Sequence, residues 1–119
     1  MTRVFQVLSV GYDSNLMASR SLLLRNAGYA VEEAYSRHQA LAMVRSDLHD
    51  VLLICHTVPL NERRTLISAV RKQRFLMPVL CVSMSDWSGT EDGCPVVSNT
   101  PSELLAAIDS AVKKTSARI

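Results

Sequence analysis

The sequence lacks several features that would place it in a class directly. No apolar run approaches the roughly 20 residues that a membrane span needs. The N-terminus MTRVFQVLSV has no long apolar segment of the signal-peptide kind. No internal repeat or low-complexity segment is present. We therefore expect a soluble, cytoplasmic protein that has no membrane as a partner.

The sequence also lacks a large net charge and the cysteine and histidine spacing that is typical of metal sites. Charged residues make up 20% of the 119 residues and the formal net charge is +2. There is thus no electrostatic case for nucleic acid as a partner. The three cysteines, at positions 55, 81 and 94, show no C-x-x-C spacing and no histidine at a metal-ligand offset. We expect reduced thiols, no metal and no other cofactor.

What the sequence does contain is an alternation of strand and helix patterns. Apolar runs predict strands at 4–10, 30–35, 50–55, 78–83 and 95–98. Helices are predicted after the first three strands and near the C-terminus, with caps at Asp13 or Ser14, Ser36, Asn61 and Thr100. Because the strands are continuous apolar runs, we expect a doubly wound α/β fold with a mostly parallel sheet. It would form one domain over 1–119, with the end of the last helix and a frayed tail at 112–119.

The segment MSDWSGTEDGC, residues 84–94, breaks this alternation. It holds two glycines, has no apolar periodicity and is only eleven residues long. A helix of about ten residues with a loop on each side does not fit. We expect the fourth helix to be missing or very short. The direction of the fifth strand stays open, because a parallel crossover normally takes about a dozen residues or more.

Four segments, in this order, resemble the receiver domains of bacterial two-component response regulators: VLSVGYDSNLMASRSLLLRNAGYAVEEAYS, DVLLICHTVP, MPVLCVS and TPSELLAAI. The resemblance covers almost the whole chain. It implies a CheY-like, flavodoxin-like fold whose five-stranded sheet has the order 2-1-3-4-5. It also implies a site at the carboxyl ends of the central strands.

At that site the sequence departs from the family. Active receivers carry an acidic pair after the first strand and a phosphate-accepting aspartate after the third, because Mg²⁺ prefers oxygen ligands. Here Gly11 and Tyr12 stand at the first place and Cys55 stands at the second. A thiol is a poor Mg²⁺ ligand. The resemblance therefore implies a receiver that has lost its phosphoacceptor and its metal ligands.

The remaining family positions lie after strands one, four and five. Ser83 matches the family's hydroxyl position, whereas the lysine position falls on Val97 or Ser98. Asp13 survives beside the lost acidic pair, where we expect it to cap a helix. Removing the carboxylates relieves their mutual repulsion, so we predict a degenerate pocket closed around the ring of Tyr12, in a domain fixed in one state.

The cysteines and histidines allow a plain interpretation and a sharper one. Cys55 is expected to be a buried core residue, and the alternative is a redox-active thiol. Cys81 is expected in the core, whereas Cys94 lies in a predicted loop and is expected to be the most accessible thiol. His38 and His49 are expected at the surface.

Two surface features suggest contacts with a partner. Trp87 lies in the segment that replaces the fourth helix, where it is either a lid over the pocket or an exposed anchor. With Pro101 and Glu103 it forms a candidate interaction surface. A basic cluster is expected to be a solvated helix face: Arg63, Arg64, Arg71, Lys72 and Arg74. The alternative is a contact for an acidic partner or for nucleic acid, and no interleaved aromatic residues support the latter.

These observations favour a receiver-like module that binds a protein partner independently of phosphorylation and has no catalysis of its own. The partner would be a histidine kinase, another regulator or an output protein, and a homodimer is compatible with the sequence. We expect no output domain after the last helix, and we expect any effect to pass through a partner. Two alternatives stay open: a phosphoacceptor at a nonstandard residue such as Asp13, and a thiol redox switch at Cys55 or Cys94.

Overall fold

The structure, a computed structural model, describes residues 4–46, 48–73, 77–83, 89–91 and 94–117. The described residues form six strands and four helices. The strands are β1 (Gln6–Val10), β2 (Ala30–Ala34), β3 (Val51–Ile54), β4 (Val79–Val82), β5 (Gly89–Glu91) and β6 (Cys94–Val97). The helices are α1 (Ser14–Asn26), α2 (Arg37–Arg45), α3 (Leu60–Gln73) and α4 (Pro101–Ala117).

Five of the strands form a parallel sheet in the order β2-β1-β3-β4-β6. Since β6 is the predicted fifth strand, the expected order 2-1-3-4-5 is confirmed. The direction of this strand is now settled, because β6 pairs parallel to β4 with Cys81 opposite Val96. Among the described residues, none of the four helices lies between β4 and β6.

The short strand β5 is the one element that the sequence patterns did not predict. It pairs antiparallel with β6, with Gly89 opposite Val96 and Glu91 opposite Cys94. Three residues are too few to show the alternation by which a strand is recognised in a sequence. The edge of the sheet is thus extended by a strand from the segment that was expected to be irregular.

The two faces of the sheet are covered by different pairs of helices. Leu52 and Ile54 of β3 belong to one core cluster, which α2 and α3 complete with Ala40, Val44, Leu66, Ile67 and Val70. Val51 and Leu53 belong to the other, which α1 and α4 complete with Leu24, Leu104, Ile108 and Val112. Because neighbouring strand residues point to opposite faces, one apolar run supplies both clusters. This is the doubly wound arrangement that the sequence predicted.

Most of the helix ends follow the predicted chemistry. Asp13 Oδ1 accepts a hydrogen bond from the Leu16 N–H at 3.1 Å, and Ser36 Oγ accepts one from the Gln39 N–H at 3.0 Å. Gly28, just past α1, has a φ of 99°, a conformation that favours glycine. The prediction for Asn61 was wrong, because α3 already begins at Leu60.

The amino-terminal edge of the sheet is held by polar contacts. Asp50 Oδ2 accepts a hydrogen bond from the Gln6 N–H at 2.7 Å, and the Asp50 N–H donates to the Gln6 carbonyl at 2.8 Å. His49, which was expected at the surface, is only 2% exposed. Its Nε2 lies 2.8 Å from Glu32 Oε1 on strand β2. A carboxylate within reach explains how an imidazole is accommodated in the interior.

Helix α1 is joined to strand β2 by a buried hydroxyl. Ser21 Oγ donates to Glu33 Oε2, and the Tyr35 hydroxyl donates to Glu33 Oε1 at 2.8 Å. The Ser21 hydrogen bond lowers the pKa of the Glu33 carboxyl below its ordinary value of 4.5, against a smaller opposing effect of burial. The ionised carboxylate is therefore the form that stabilises the fold.

We expect Ser21→Ala to lower the free energy of unfolding by about 1–2 kcal/mol at pH 7, because a hydrogen bond to a charged group is lost. A carboxyl with a lowered pKa stabilises the fold above the unfolded-state pKa, and this contribution disappears as the pH falls through the folded-state pKa. The difference between the variant and the wild type should thus shrink below about pH 4.5. Urea unfolding at several pH values measures it. Ser19→Ala, at an exposed position of the same helix, is the control, and a difference that did not depend on pH would contradict the assignment.

Candidate functional site

Loops that follow the strands bring the predicted site positions to the carboxyl edge of the sheet. The ladders place Val10 beside Ile54 and Val82 beside Val97, so the ends of the parallel strands are aligned. Each predicted site residue ends one of the strands β1, β3, β4 and β6 or follows it within three residues: Gly11, Tyr12, Asp13, Cys55, Ser83, Val97 and Ser98. The structure thus gathers all seven at one edge, where ligand sites of this topology lie.

The space around Gly11 is filled. A β-carbon at this position would lie 2.7 Å from Met17 Sδ, 2.9 Å from Cys55 Cβ and 3.2 Å from Thr57 Oγ1. Met17 is itself fully buried, and its Sδ accepts a hydrogen bond from Ser9 Oγ at 3.6 Å. A larger residue at position 11 would therefore require its neighbours to shift. The place of the first acidic residue of the family is closed by packing.

Tyr12 lies outside this packed region, which differs from the sequence expectation. Its side chain is 38% exposed, so the pocket is closed by Met17 and Thr57 and not by the tyrosine ring. The Tyr12 N–H donates to Thr57 Oγ1 at 2.9 Å, and its hydroxyl donates to Glu62 Oε1 at 2.8 Å. Partial burial and the Glu62 carboxylate raise the pKa of the Tyr12 hydroxyl. Both Tyr12 contacts tie the loop after β1 to residues that follow β3.

The other predicted site residues make local contacts. Asp13 is exposed and caps α1, as predicted. Ser83 is half-buried, and its N–H donates to the Val97 carbonyl at 2.8 Å. The buried Ser98 hydroxyl donates to Thr100 Oγ1 at 2.9 Å and accepts from the Thr100 N–H at 3.1 Å. At the position expected for the family's lysine, a short polar turn thus leads into α4.

Cys55 is buried, in agreement with the plain interpretation, but its surroundings are polar. The residue is 1% exposed, and its Sγ lies 3.8 Å from His56 Nδ1. Burial opposes ionisation of the thiol, yet hydrogen bonds with Thr57 and the interaction with Arg20 outweigh it, so the pKa of Cys55 lies below its ordinary value. The pKa of His56 is lowered by burial and by the positive charge of Arg20. A neutral imidazole therefore stands beside the thiol at pH 7.

Arg20 is the site residue that the sequence patterns did not single out. It projects from α1, is 5% exposed, and donates from Nη2 to Asn99 Oδ1 at 2.9 Å. The signal was present, because the buried positions of α1 fall at the spacing of one helix face: Met17, Arg20, Ser21 and Leu24. An arginine is ordinarily assigned to the surface, which explains why it was missed.

The prediction for Cys94 was wrong. This thiol is fully buried, its Sγ lies 3.4 Å from Cys81 Sγ, and it donates to the Val79 carbonyl at 3.1 Å. The neighbouring thiol and burial raise the pKa of Cys94. Pairing of β6 with β4 carries Cys94 into the interior, whereas the sequence suggested a loop. Cys81 lies in the core, as expected.

Two members of the candidate interaction surface can be located. Pro101 and Glu103 are exposed in the first turn of α4, and Trp87 lies outside the described residues. Within the described ranges, no group of three or more His, Cys, Asp or Glu side chains is arranged to hold a metal ion. In the same part of the chain, no helix is both long enough and apolar enough to cross a membrane.

Solved structures with the same architecture are receiver domains. A CheY-like receiver domain protein from Methanospirillum hungatei JF-1 superposes with a TM-score of 0.82 at 20% identity, covering 98% of this chain and 100% of that chain. A receiver domain protein from Clostridium thermocellum superposes with a TM-score of 0.83 at 18% identity, covering the same shares of the two chains. The receiver domain of sensor histidine kinase PA1611 from Pseudomonas aeruginosa PAO1, with magnesium coordinated in its active site cleft, gives 0.78 at 16% identity, covering 93% and 99%.

No protein-family profile and no curated protein sequence matches the chain. The fold, however, is clear. The strand order, the doubly wound helices and the agreement with these structures define a CheY-like receiver fold.

Burial of all three thiols leads to a direct prediction. Because modification of a thiol requires contact with the reagent, we expect Cys55, Cys81 and Cys94 to react only after local or global opening of the fold. Titration with a chromogenic disulfide reagent should yield three thiols in denaturant and few in the native protein. Cys55→Ser and Cys94→Ser variants assign any reactive group, and rapid reaction of native Cys55 would contradict its description as a core residue.

Proposed function

We propose that the protein is a receiver-like module of two-component signal transduction that acts by binding a protein partner and does not accept phosphate itself. The observation that carries this proposal is the packing around Gly11. Met17, Cys55 and Thr57 occupy the space where a receiver has its first acidic side chain.

The chemistry of the remaining groups points in the same direction. Phosphoryl transfer to a carboxylate depends on Mg²⁺, which takes oxygen ligands. Near the carboxyl edge, Asp13 caps a helix and Glu62 accepts the Tyr12 hydroxyl. Cys55 stands at the acceptor position, and the positive charge of Arg20 lies beside it. A divalent cation would meet a thiol and a guanidinium, which do not favour it.

A protein partner is the natural target for such a domain. The Pseudomonas receiver domain described above belongs to a sensor histidine kinase. For this chain we propose a histidine kinase, another regulator or an output protein as partner, with a homodimer as a further option. The exposed first turn of α4, with Pro101 and Glu103, is the proposed contact surface. No catalysis of its own is part of the proposal.

A thiol switch at Cys55 is a second candidate. It is favoured by the hydrogen bonds from Thr57 and by the interaction with Arg20, which together lower the pKa of this thiol. Its burial opposes this function, because an oxidant has to reach the sulfur. The thiol titration described above separates the two candidates.

Intact-mass measurement tests the leading proposal. The full chain is incubated with a small phosphodonor and Mg²⁺, in parallel with a receiver domain that has its acidic pair and aspartate. We expect a phosphoryl adduct on the control receiver and an unchanged mass for this protein, since the described carboxylates near the edge have other partners. A stoichiometric adduct would overturn the proposal. If that adduct were lost in Asp13→Asn, Asp13 would be the phosphoacceptor.

A further inference from the structure

The guanidinium of Arg20 is buried, and no carboxylate of the described residues pairs with it. Nη2 donates to the neutral side-chain oxygen of Asn99 at 2.9 Å, whereas Nη1 is buried and makes no hydrogen bond with any residue of the described ranges. Arginine stays protonated in proteins and carries five N–H donors. A buried charge that is left unpaired is costly, so the fold on its own leaves this group incompletely satisfied.

Cys55 interacts with Arg20 through a hydrogen bond, but burial opposes ionisation of its thiol. The other groups around Arg20 do not supply a negative charge in a fixed position. His56 is neutral at pH 7, because burial and the charges of Arg20 and Arg63 lower its pKa. The negative charge of Asp13 opposes this lowering of the His56 pKa. The Asp13 carboxylate is exposed, however, and it caps α1 by accepting from the Leu16 N–H. The carboxyl edge of the sheet therefore carries a net positive group at the place where active receivers bind a cation.

Asn99 accepts the hydrogen bond from Nη2 of Arg20. This residue is exposed, although the arginine beneath it is not. Rotation of the Asn99 side chain would free Nη2. The two η nitrogens of a guanidinium form a fork that matches two oxygens bonded to one atom.

We propose that Arg20, Asn99 and the adjoining Cys55 and His56 form a binding site for a small oxyanion with two oxygens on one atom, such as a carboxylate or phosphate. The anion displaces Asn99 Oδ1 and accepts hydrogen bonds from Nη1 and Nη2 together. Binding is reversible and forms no covalent bond. The site thus reverses the charge preference of an active receiver and goes beyond the proposed partner-binding function.

Thermal unfolding of the full chain in different salts tests this proposal. Chloride, acetate and inorganic phosphate are compared at equal ionic strength and pH 7, since chloride cannot pair with both nitrogens in the same way. We expect the unfolding midpoint to rise with phosphate or acetate relative to chloride. Above the dissociation constant, each tenfold increase in ligand adds about 1.4 kcal/mol to the free energy of unfolding. Comparison of the rise in unfolding midpoint with phosphate and the rise with acetate identifies which oxyanion is preferred.

Variants assign the effect to Arg20. Arg20→Met keeps the length of the side chain and removes the charge, so it should abolish the salt-specific shift and unfold in chloride at the wild-type midpoint or above it. Arg25→Met, at an exposed position of the same helix, should keep the shift. Asn99→Ala removes the competing oxygen and should bind the anion as tightly as the wild type or more tightly. Equal midpoints in all three salts would overturn the proposal, because Arg20 would then find its counter-charge within the chain.

NMR titration of the wild type keeps the test valid if a variant does not fold. Phosphate should shift the amide resonances of Cys55, His56 and Asn99 in a saturable way. Shifts confined to the basic face of α3 would also overturn the proposal. Intact mass after the titration separates this outcome from failure of the proposed function, because reversible binding leaves the mass unchanged and phosphorylation does not.

Discussion

The packing of Met17, Cys55 and Thr57 around Gly11 is the constraint on which the rest of the site depends. Strands β1 and β3 are neighbours in the parallel sheet, so the residues that follow them must share one small space. In this chain that space holds a thioether, a thiol and a hydroxyl, and a glycine makes room for them. The loop after β1 is then fixed by the Tyr12 contacts with Thr57 and Glu62. A larger side chain at position 11 therefore requires Met17, Cys55 and Thr57 to shift.

The electrostatics of the edge follow from the same replacement. Carboxylates at a partly buried site repel one another unless a cation is bound, and such a site would attract a neighbouring arginine. Here Arg20 donates to Asn99 Oδ1, and its charge favours the ionised form of Cys55. The absence of acidic side chains at Gly11, Tyr12 and Cys55 and the buried guanidinium of Arg20 together support the proposal of a site that prefers anions.

Much of the fold could be predicted because it depends on local patterns. The apolar run at 51–54 supplies residues to both core clusters. The caps Asp13 and Ser36 accept hydrogen bonds from backbone N–H groups three residues further along the chain. Strand β5 could not be predicted, because its three residues are too few to show a periodic apolar pattern. His49 and Cys94 were misjudged because their burial depends on Glu32 and on the pairing of β6, which distant parts of the chain supply. Arg20 fits the buried spacing of α1, but an arginine at such a position is rarely expected inside.

The packing around Gly11 predicts that an acidic side chain does not fit at position 11 and that this edge does not bind Mg²⁺. NMR titration with Mg²⁺ of the wild type and of Gly11→Asp tests it most directly. We predict no saturable shift of the Tyr12 or Cys55 amide resonances in either protein. We also predict a lower unfolding midpoint for Gly11→Asp, because its β-carbon would lie 2.7 Å from Met17 Sδ. Saturable Mg²⁺ shifts at these residues, with the variant as stable as the wild type, would contradict the account.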